Sequence, residues 1–264
     1  MLEPNNIYLG DCYELIKEIP DRSIDLVYID IPYEFSSGGY GSSDLGRRIN
    51  RCANNINVSG NAVAPKGSMA NRNIKMGETG IDFSIYDELC RVMKEVYIYI
   101  WLSKNQIPYT LDYFVNQKGC YFDILAWHKT NPIPATNNAW LPDTEYCLFF
   151  REKDAHRLND GYELKRKWYV SPINVEDKKK YGHPTIKPLE LVKQHILHAT
   201  KEGDVVLDCF AGSGTTLVAC KETNRRYIGI ELNEEYYNIA KNRVGDNNWI
   251  YTPTKQESKT VELW

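Results

Sequence analysis

The 264-residue sequence predicts an α/β fold built on a twisted, mostly parallel sheet with helices on both faces. Short apolar runs of strand length alternate with helical segments along most of the chain, which is typical of parallel sheets. The runs 24–29 and 205–209 are nearly continuous in apolar residues, as expected of strands covered on both sides. A glycine turn at 212–214 joins the second run to a helix. We therefore predict one domain over residues 1–264.

The individual elements follow from apolar periodicity and from Gly and Pro punctuation. Strands are predicted at residues 7–9, 24–29, 96–102, 121–127, 145–150, 205–209 and 227–232. Helices are predicted at residues 13–18, 84–94, 106–117, 189–200, 214–222 and 234–243.

Three segments interrupt this alternation. Residues 34–80 are rich in Gly, Ser and Asn, and residues 151–182 are polar and charged. Loops of this length in a compact domain are usually either functional or disordered. The tail, residues 245–264, is polar and is expected to lie outside the core.

The composition predicts a cytoplasmic globular protein. No apolar run is long enough to span a membrane, and the N-terminus lacks the basic and apolar regions of a secretory signal. The seven cysteines include no Cys-x-x-Cys spacing, so neither disulfides nor a metal site are expected.

Charge is unevenly distributed along the chain. The net charge of −3 is not typical of a nucleic-acid-binding protein. Residues 34–80 nevertheless carry a net charge of +3, and residues 165–167 and 178–180 are all basic. A charged run can equally be a solvated surface, so charge alone leaves both interpretations open.

The glycine turn predicts a nucleotide-containing cofactor. Gly212 and Gly214 lack a Cβ, so the backbone can bend sharply and approach a ligand. Glu231 ends the next strand, where a carboxylate can accept hydrogen bonds from ribose hydroxyls. The nicotinamide fingerprint fits poorly because Leu217 stands where it needs a small residue, and no Lys-Ser or Lys-Thr pair of a phosphate-binding loop follows.

The second candidate site is the corner Asp30-Ile31-Pro32-Tyr33, which follows the 24–29 run. An exocyclic amino nitrogen of a base is a poor nucleophile because its lone pair is delocalised into the ring. The Asp30 carboxylate and the Ile31 carbonyl can each accept a hydrogen bond from one amino hydrogen, which frees that lone pair. Pro32 stiffens the turn, and Tyr33 offers a face on which an extracted base can stack.

With both sites in view, the chain resembles the amino-directed, S-adenosylmethionine-dependent DNA methyltransferases. The resemblance is to their circularly permuted group, in which the catalytic tetrapeptide precedes the cofactor loop. The matching segments are IDIPY at 29–33, DCFAGSGTT at 208–216, YIGIELN at 227–233, HPTIKP at 183–188, LGDC at 9–12 and WHKTNP at 127–132. Ile31 departs from the family pattern, which usually has proline there.

This resemblance implies a Rossmann-like methyltransferase fold and a set of roles. It implies that the catalytic residues are Asp30, Ile31, Pro32 and Tyr33. It implies that S-adenosylmethionine is held by Asp11, Cys12, Asp30, His183, Thr185, Lys187, Asp208, Phe210, Ala211, Gly212, Ser213, Gly214, Thr215, Thr216, Glu231, Leu232 and Asn233. Asp11 would accept from the amino group of the cofactor adenine. Asp at position 30 is more typical of adenine enzymes than of cytosine enzymes, so N6 methylation of adenine is the expected reaction. The family also implies that a homodimer can form.

Two basic segments are candidates for contact with double-stranded DNA. We expect residues 34–80 to close over the DNA, and residues 151–182 occupy the position of the family's target-recognition region. The candidate DNA-binding residues are Arg47, Arg48, Arg51, Lys66, Arg72, Lys75, His128, Lys165, Arg166 and Lys167. Which segment specifies the sequence stays open.

The sequence leaves three alternatives open. One is methylation of the N4 amino group of cytosine at the same corner. Another is a catalytically silent, methyltransferase-like subunit that only binds nucleic acid, which the Ile31 departure allows. The third is RNA as substrate, because the corner contacts a flipped base and not its sugar.

Overall fold

The computed structural model describes residues 1–33, 80–132, 134, 140–155, 161–181 and 185–245. In chain order its strands are β1 (Asn6–Leu9), β2 (Leu26–Asp30), β3 (Tyr97–Leu102), β4 (Tyr121–Lys129), β5 (Thr144–Arg151), β6 (Trp168–Ser171), β7 (Val205–Asp208) and β8 (Arg226–Glu231). Its α-helices are α1 (Cys12–Leu15), α2 (Ile85–Val92), α3 (Ile107–Leu111), α4 (Val175–Tyr181), α5 (Leu189–Ala199), α6 (Thr215–Glu222) and α7 (Glu234–Gly245).

The described strands form one sheet in the order β1-β8-β7-β2-β3-β5-β4-β6. Every neighbouring pair is parallel except the two pairs that include β5, which is antiparallel to both β3 and β4. The predicted mostly parallel α/β sheet is confirmed.

Both faces of the central strands are buried, which is why these strands are apolar throughout. In β2, Val27 and Ile29 pack into a cluster with α2, whereas Leu26 and Tyr28 pack on the opposite face with α5 and α6. Each of these four side chains is at most 1% exposed. Burial of this kind contributes about 1.5–3 kcal/mol for each large apolar side chain.

The order of the strands creates a crevice between β2 and β7. These strands are adjacent and parallel, with Val27 paired to Leu207. From β7 the chain continues through α6 to β8 on one side, and from β2 it continues to β3 on the other. In open α/β sheets ligands bind at such a reversal, outside the carboxyl ends of the strands. Asp30 is the last residue of β2, and the glycine turn follows Asp208, the last residue of β7.

The second insertion contains regular structure that the sequence pattern did not predict. β6 adds to the edge of the sheet beside β4, and α4 follows it. β6 is half-exposed and only four residues long, so it lacks a continuous apolar run. In α4, Tyr181 is the buried side chain, and of the three lysines before it Lys179 is exposed while Lys178 and Lys180 are half-buried.

Other predicted element boundaries differ from the observed ones by a few residues. The helix predicted at 106–117 is α-helical only over α3 and continues as a π-helix, Asp112–Gln117. No helix in the described residues is long and apolar enough to cross a lipid bilayer.

Candidate active site

The Asp30–Tyr33 corner is anchored to the neighbouring strand β3. Asp30 pairs with Trp101, and the Ile31 amide donates to the Trp101 carbonyl at 3.1 Å. The Ile31 side chain is 1% exposed and packs in the core, so the residue that replaces proline is held by burial. The Pro32 carbonyl accepts from Nε2 of Gln106 at 2.9 Å. Gln106, itself 1% exposed, is a supporting residue that the sequence analysis missed.

The two oxygens of Asp30 have different environments. Oδ2 accepts from Nζ of Lys187 at 2.5 Å. Oδ1 is buried and makes no hydrogen bond within the described part of the chain. A buried acceptor without a donor costs about 1–3 kcal/mol, and a catalytic role or a bound partner is among the explanations for such an atom in native proteins. Burial raises the pKa of Asp30, and the ammonium of Lys187 opposes that rise.

Lys187 lies against the Asp30–Tyr33 corner. Its Nζ is 2.5 Å from Oδ2 of Asp30, 3.1 Å from Oε2 of Glu145 and 3.2 Å from the hydroxyl oxygen of Tyr33. An ammonium group has three hydrogens to donate, so these three acceptors match its capacity. Burial lowers the pKa of Lys187, but the two carboxylates outweigh burial and raise it. The contact that Lys187 makes in the structure is with Asp30, and its predicted part in holding S-adenosylmethionine stays a prediction.

Glu145, at the start of β5, is a site residue that the sequence analysis did not identify. Its Oε1 is 2.5 Å from Nζ of Lys129, and its Oε2 accepts from the Tyr33 hydroxyl at 3.3 Å. Burial alone would raise the pKa of Glu145, but Lys187 and Lys129 lower it to about 2. Glu145 is therefore ionised at neutral pH.

The glycine loop is bent into a shape that only glycine adopts without strain. Gly212 and Gly214 have φ angles of +51° and +79°. A Cβ on Gly214 would lie 3.0 Å from the Cβ of Ala240 in α7, so the loop packs directly on that helix. The Gly212 amide donates to Oε2 of Glu231 at 2.7 Å, and the Asn233 amide donates to Oε1 at 2.8 Å.

Asp208, at the end of β7, is a buried carboxyl that leads into the glycine loop. It is 3% exposed, and its Oδ1 accepts from the Phe210 amide at 3.1 Å. Burial raises the pKa of Asp208 to about 7, and the negative charges of Asp30 and Glu231 add to the effect. The charge of Asp30 thus acts on the carboxyl of Asp208, and the two residues end the neighbouring strands β2 and β7.

Arg243 of α7 donates hydrogen bonds to the glycine loop, a contact that was not predicted from the sequence. The side chain is 2% exposed, and its Nη1 donates to Oγ1 of Thr215 at 2.8 Å and to Oγ of Ser213 at 3.2 Å. Its guanidinium carbon lies 4.2 Å from the ring centroid of Tyr181 in α4. The sequence does not indicate this role, because Arg243 lies near the end of an ordinary helix and reaches the loop only through the packing of α7.

The remaining predicted cofactor residues fall into three groups. Asp11 caps α1 by accepting from the Tyr13 amide at 2.9 Å, and it follows the strand β1, whose Leu9 pairs with Glu231. Leu232 and Asn233, which follow Glu231, are exposed, and Thr185 is exposed as well. The buried members are Cys12, Ala211, Ser213, Thr215 and Thr216, and Phe210 packs partly against the core. His183 lies outside the described residues.

Only part of the predicted DNA-contacting set is described. Arg47, Arg48, Arg51, Lys66, Arg72 and Lys75 lie outside the described residues. The others are exposed, and three of them have acidic neighbours. His128 lies 4.0 Å from Asp143, Arg166 2.9 Å from Glu163 and Lys167 2.5 Å from Asp123. Lys165 lies in the short 3-10 helix Glu163–Lys165.

A protein-family model described as DNA methylase matches residues 24–242. That span includes both the Asp30 corner and the glycine loop, and it covers most of the chain. The chain belongs to this family of DNA methylases. S-Adenosylmethionine is the cofactor of the family, and the predicted activity of a DNA methyltransferase that depends on it is confirmed.

Individual relatives agree with this assignment. This DNA methylase is 32% identical over 258 residues to the type II methyltransferase M2.DpnII of Streptococcus pneumoniae, which covers 90% of this chain and 89% of that protein. It is similar to the crystal structure of the M1.HpyAVI–SAM complex, with a TM-score of 0.62, 25% identity, and coverage of 90% and 98% of the two chains. It also shares its fold with the cytosine-N4-specific PvuII DNA methyltransferase, with a TM-score of 0.66, 16% identity, and coverage of 98% and 91%.

Proposed function

We propose that this DNA methylase transfers the methyl group of S-adenosylmethionine to the N6 amino group of an adenine within a specific sequence of double-stranded DNA. The observation that carries the proposal is Oδ1 of Asp30, a buried acceptor with no hydrogen bond in the described residues, at the strand end beside the glycine loop. An amino group supplies the donor that this oxygen lacks. The type II relatives favour a role in restriction and modification.

The residues of the crevice fit the cofactor. The positive φ angles of Gly212 and Gly214 leave a backbone cradle without side chains, and Glu231 lies across it. Each Glu231 oxygen accepts one backbone N–H and keeps further capacity for ribose hydroxyls. Asp11 comes two residues after Leu9, which pairs with Glu231, and it would accept a hydrogen bond from the amino group of the cofactor adenine. When bound, S-adenosylmethionine supplies a methyl group on a positively charged sulfur.

In the proposed reaction the Asp30 corner prepares the base. The base leaves the duplex and stacks on Tyr33, whose hydroxyl is fixed by Glu145 and Lys187. Oδ1 of Asp30 and the Ile31 carbonyl each accept a hydrogen bond from one of the two amino hydrogens. The nitrogen lone pair then becomes available to the methyl carbon. A nitrogen–carbon bond forms as the carbon–sulfur bond breaks, and the electron pair stays on sulfur. Asp30 is placed to receive the proton that the nitrogen loses.

Three further assignments belong to the same proposal. The basic residues of 34–80, together with His128 and Lys165–167, contact the DNA backbone or base edges. The chain forms a single catalytic domain, which carries two insertions, 34–80 and 151–182, and the tail 245–264. A homodimer and a cytoplasmic location remain predictions from the sequence.

Expression in a host that lacks DNA methylation, followed by direct sequencing of modified bases, tests the proposal. We expect N6-methyladenine at one sequence motif and none in DNA from the same host without the gene. N4-methylcytosine would contradict the adenine assignment. Unmodified DNA, with methylated RNA recovered from the same cells, would contradict DNA as the substrate.

A further inference from the structure

Four charged side chains of alternating sign form a line that begins at the catalytic carboxylate. Asp30 binds Lys187, Lys187 binds Glu145, and Glu145 binds Lys129, with separations of 2.5, 3.1 and 2.5 Å. Lys187, Lys129 and Glu145 are largely enclosed, with side-chain exposures of 7%, 14% and 22%. The line is electrically neutral, and it brings together the end of β2, the segment before α5, the start of β5 and the end of β4.

Glu145 controls where the Lys187 ammonium can lie. Oε2 of Glu145 accepts from Lys187 at 3.1 Å, so the ammonium contacts a second carboxylate besides Asp30. With two carboxylates as partners, the lysine donates to Asp30 through Oδ2 and leaves Oδ1 unbonded within the described residues. Without the Glu145 charge, the ammonium has one carboxylate left to neutralise it and moves towards both oxygens of Asp30. The acceptor that the base amino group needs would then be occupied.

The same carboxylate also holds the stacking residue. The Tyr33 hydroxyl donates to Oε2 of Glu145 at 3.3 Å and accepts from Lys187 at 3.2 Å. Two hydrogen bonds at its far end restrict rotation of the ring. Glu145 therefore contacts, directly or through Lys187, the two side chains of the corner that would meet the base.

We propose that Glu145 is a positioning residue that directs Lys187 to one oxygen of Asp30 and fixes the ring of Tyr33. The inference rests on the proposed amino-group methylation, and it assigns to Glu145 no contact with the base or the cofactor. It predicts that Glu145 affects turnover and the ionisation of Asp30 and leaves cofactor affinity unchanged.

The pH profile separates this role from a purely structural one. Turnover requires ionised Asp30, so kcat falls as the pH drops through its pKa. The charged or titratable groups around Asp30 are Lys187, Tyr33, Glu145, Asp208, Tyr28 and Cys147. Removing the negative charge of Glu145 lowers the pKa of Asp30, because Glu145 raises it and Lys187 lowers it. The acid limb of kcat therefore moves to lower pH in Glu145→Gln.

The experiment compares Glu145→Gln, Glu145→Asp and the matched control Glu222→Gln. Glu222 also pairs with a lysine, Lys193, and its side chain is 28% exposed, but it lies at the far end of α6. For each full-length variant we would measure kcat against pH on methylatable duplex DNA, the Kd of S-adenosylmethionine by calorimetry, and thermal unfolding.

We expect Glu145→Gln to lower kcat by at least about tenfold, to move the acid limb to lower pH and to keep the cofactor Kd within about twofold of wild type. Glu145→Asp keeps the charge and loses reach, so kcat falls while the acid limb stays at its wild-type position. An unchanged kcat in either variant, or a loss matched by Glu222→Gln, overturns the proposal, as does a lower kcat in Glu145→Gln with an unmoved acid limb. If Glu145→Gln does not fold, Glu145→Asp alone decides. Wild-type enzyme that yields no amino-methylated base overturns the proposed function instead.

Discussion

Replacing Asp208 by asparagine should stabilise the protein much more at alkaline pH than at acidic pH. The Asp208 carboxyl is 3% exposed, and burial raises its pKa from 3.8 to about 7. Between these two values the folded state binds a proton that the unfolded state releases, so the free energy of unfolding falls as the pH rises. Above pH 7 the loss is complete, and it approaches about 4 kcal/mol for a pKa change of this size. Asparagine keeps an oxygen that can accept from the Phe210 amide and carries no charge.

Urea unfolding of wild type and Asp208→Asn without cofactor, at pH 5 and at pH 8, measures this effect. We expect the free energy of unfolding of the variant to exceed that of wild type by several kcal/mol at pH 8, up to about 4. At pH 5 the difference should be about two-thirds smaller, because the wild-type carboxyl is then mostly protonated in the folded state. S-Adenosylmethionine should bind the variant more weakly if the buried charge is retained for the cofactor. Equal stability differences at the two pH values would refute the argument that burial of this carboxyl is costly.

The glycine loop and the basic insertion give two further predictions. Gly214→Ala should lose about 1–3 kcal/mol from its left-handed backbone, and more from contact with Ala240, as measured by urea unfolding. Gly119→Ala is the matched control, since its φ is +69° and no atom lies within 4 Å of the added Cβ, and an equal loss in both variants would show that the Ala240 contact is unimportant. Alanine at the three arginines of 47–51 should weaken DNA binding and reduce the slope of log K against log salt by up to about 3. Binding isotherms at several salt concentrations test this, and an unchanged slope would remove these arginines from the interface.

Local motifs carried most of the correct predictions from sequence. The apolar runs before Asp30 and Gly212 located two buried parallel strands, because strands covered on both faces need apolar residues throughout. The glycines were informative because positive φ angles and close packing on α7 exclude a Cβ. The placement of both motifs at the reversal of strand order then followed from the alternation of strands and helices.

The supporting residues could not be predicted in this way. Glu145 reaches Lys187 only because β5 inserts antiparallel between β3 and β4, a register that no local pattern specifies. Arg243 supports the loop through a helix 30 residues further along the chain. Lys187 belonged to a recognised segment, but its contact with Asp30 spans 157 residues and depends on the tertiary fold.

The Asp30→Ala variant, assayed for methyl transfer at saturating S-adenosylmethionine and duplex DNA, tests the central claim most directly. If the Asp30 carboxylate prepares the base beside the bound cofactor, kcat should fall by about 100-fold or more while the cofactor still binds. Turnover within about tenfold of wild type, with cofactor binding intact, would contradict the account.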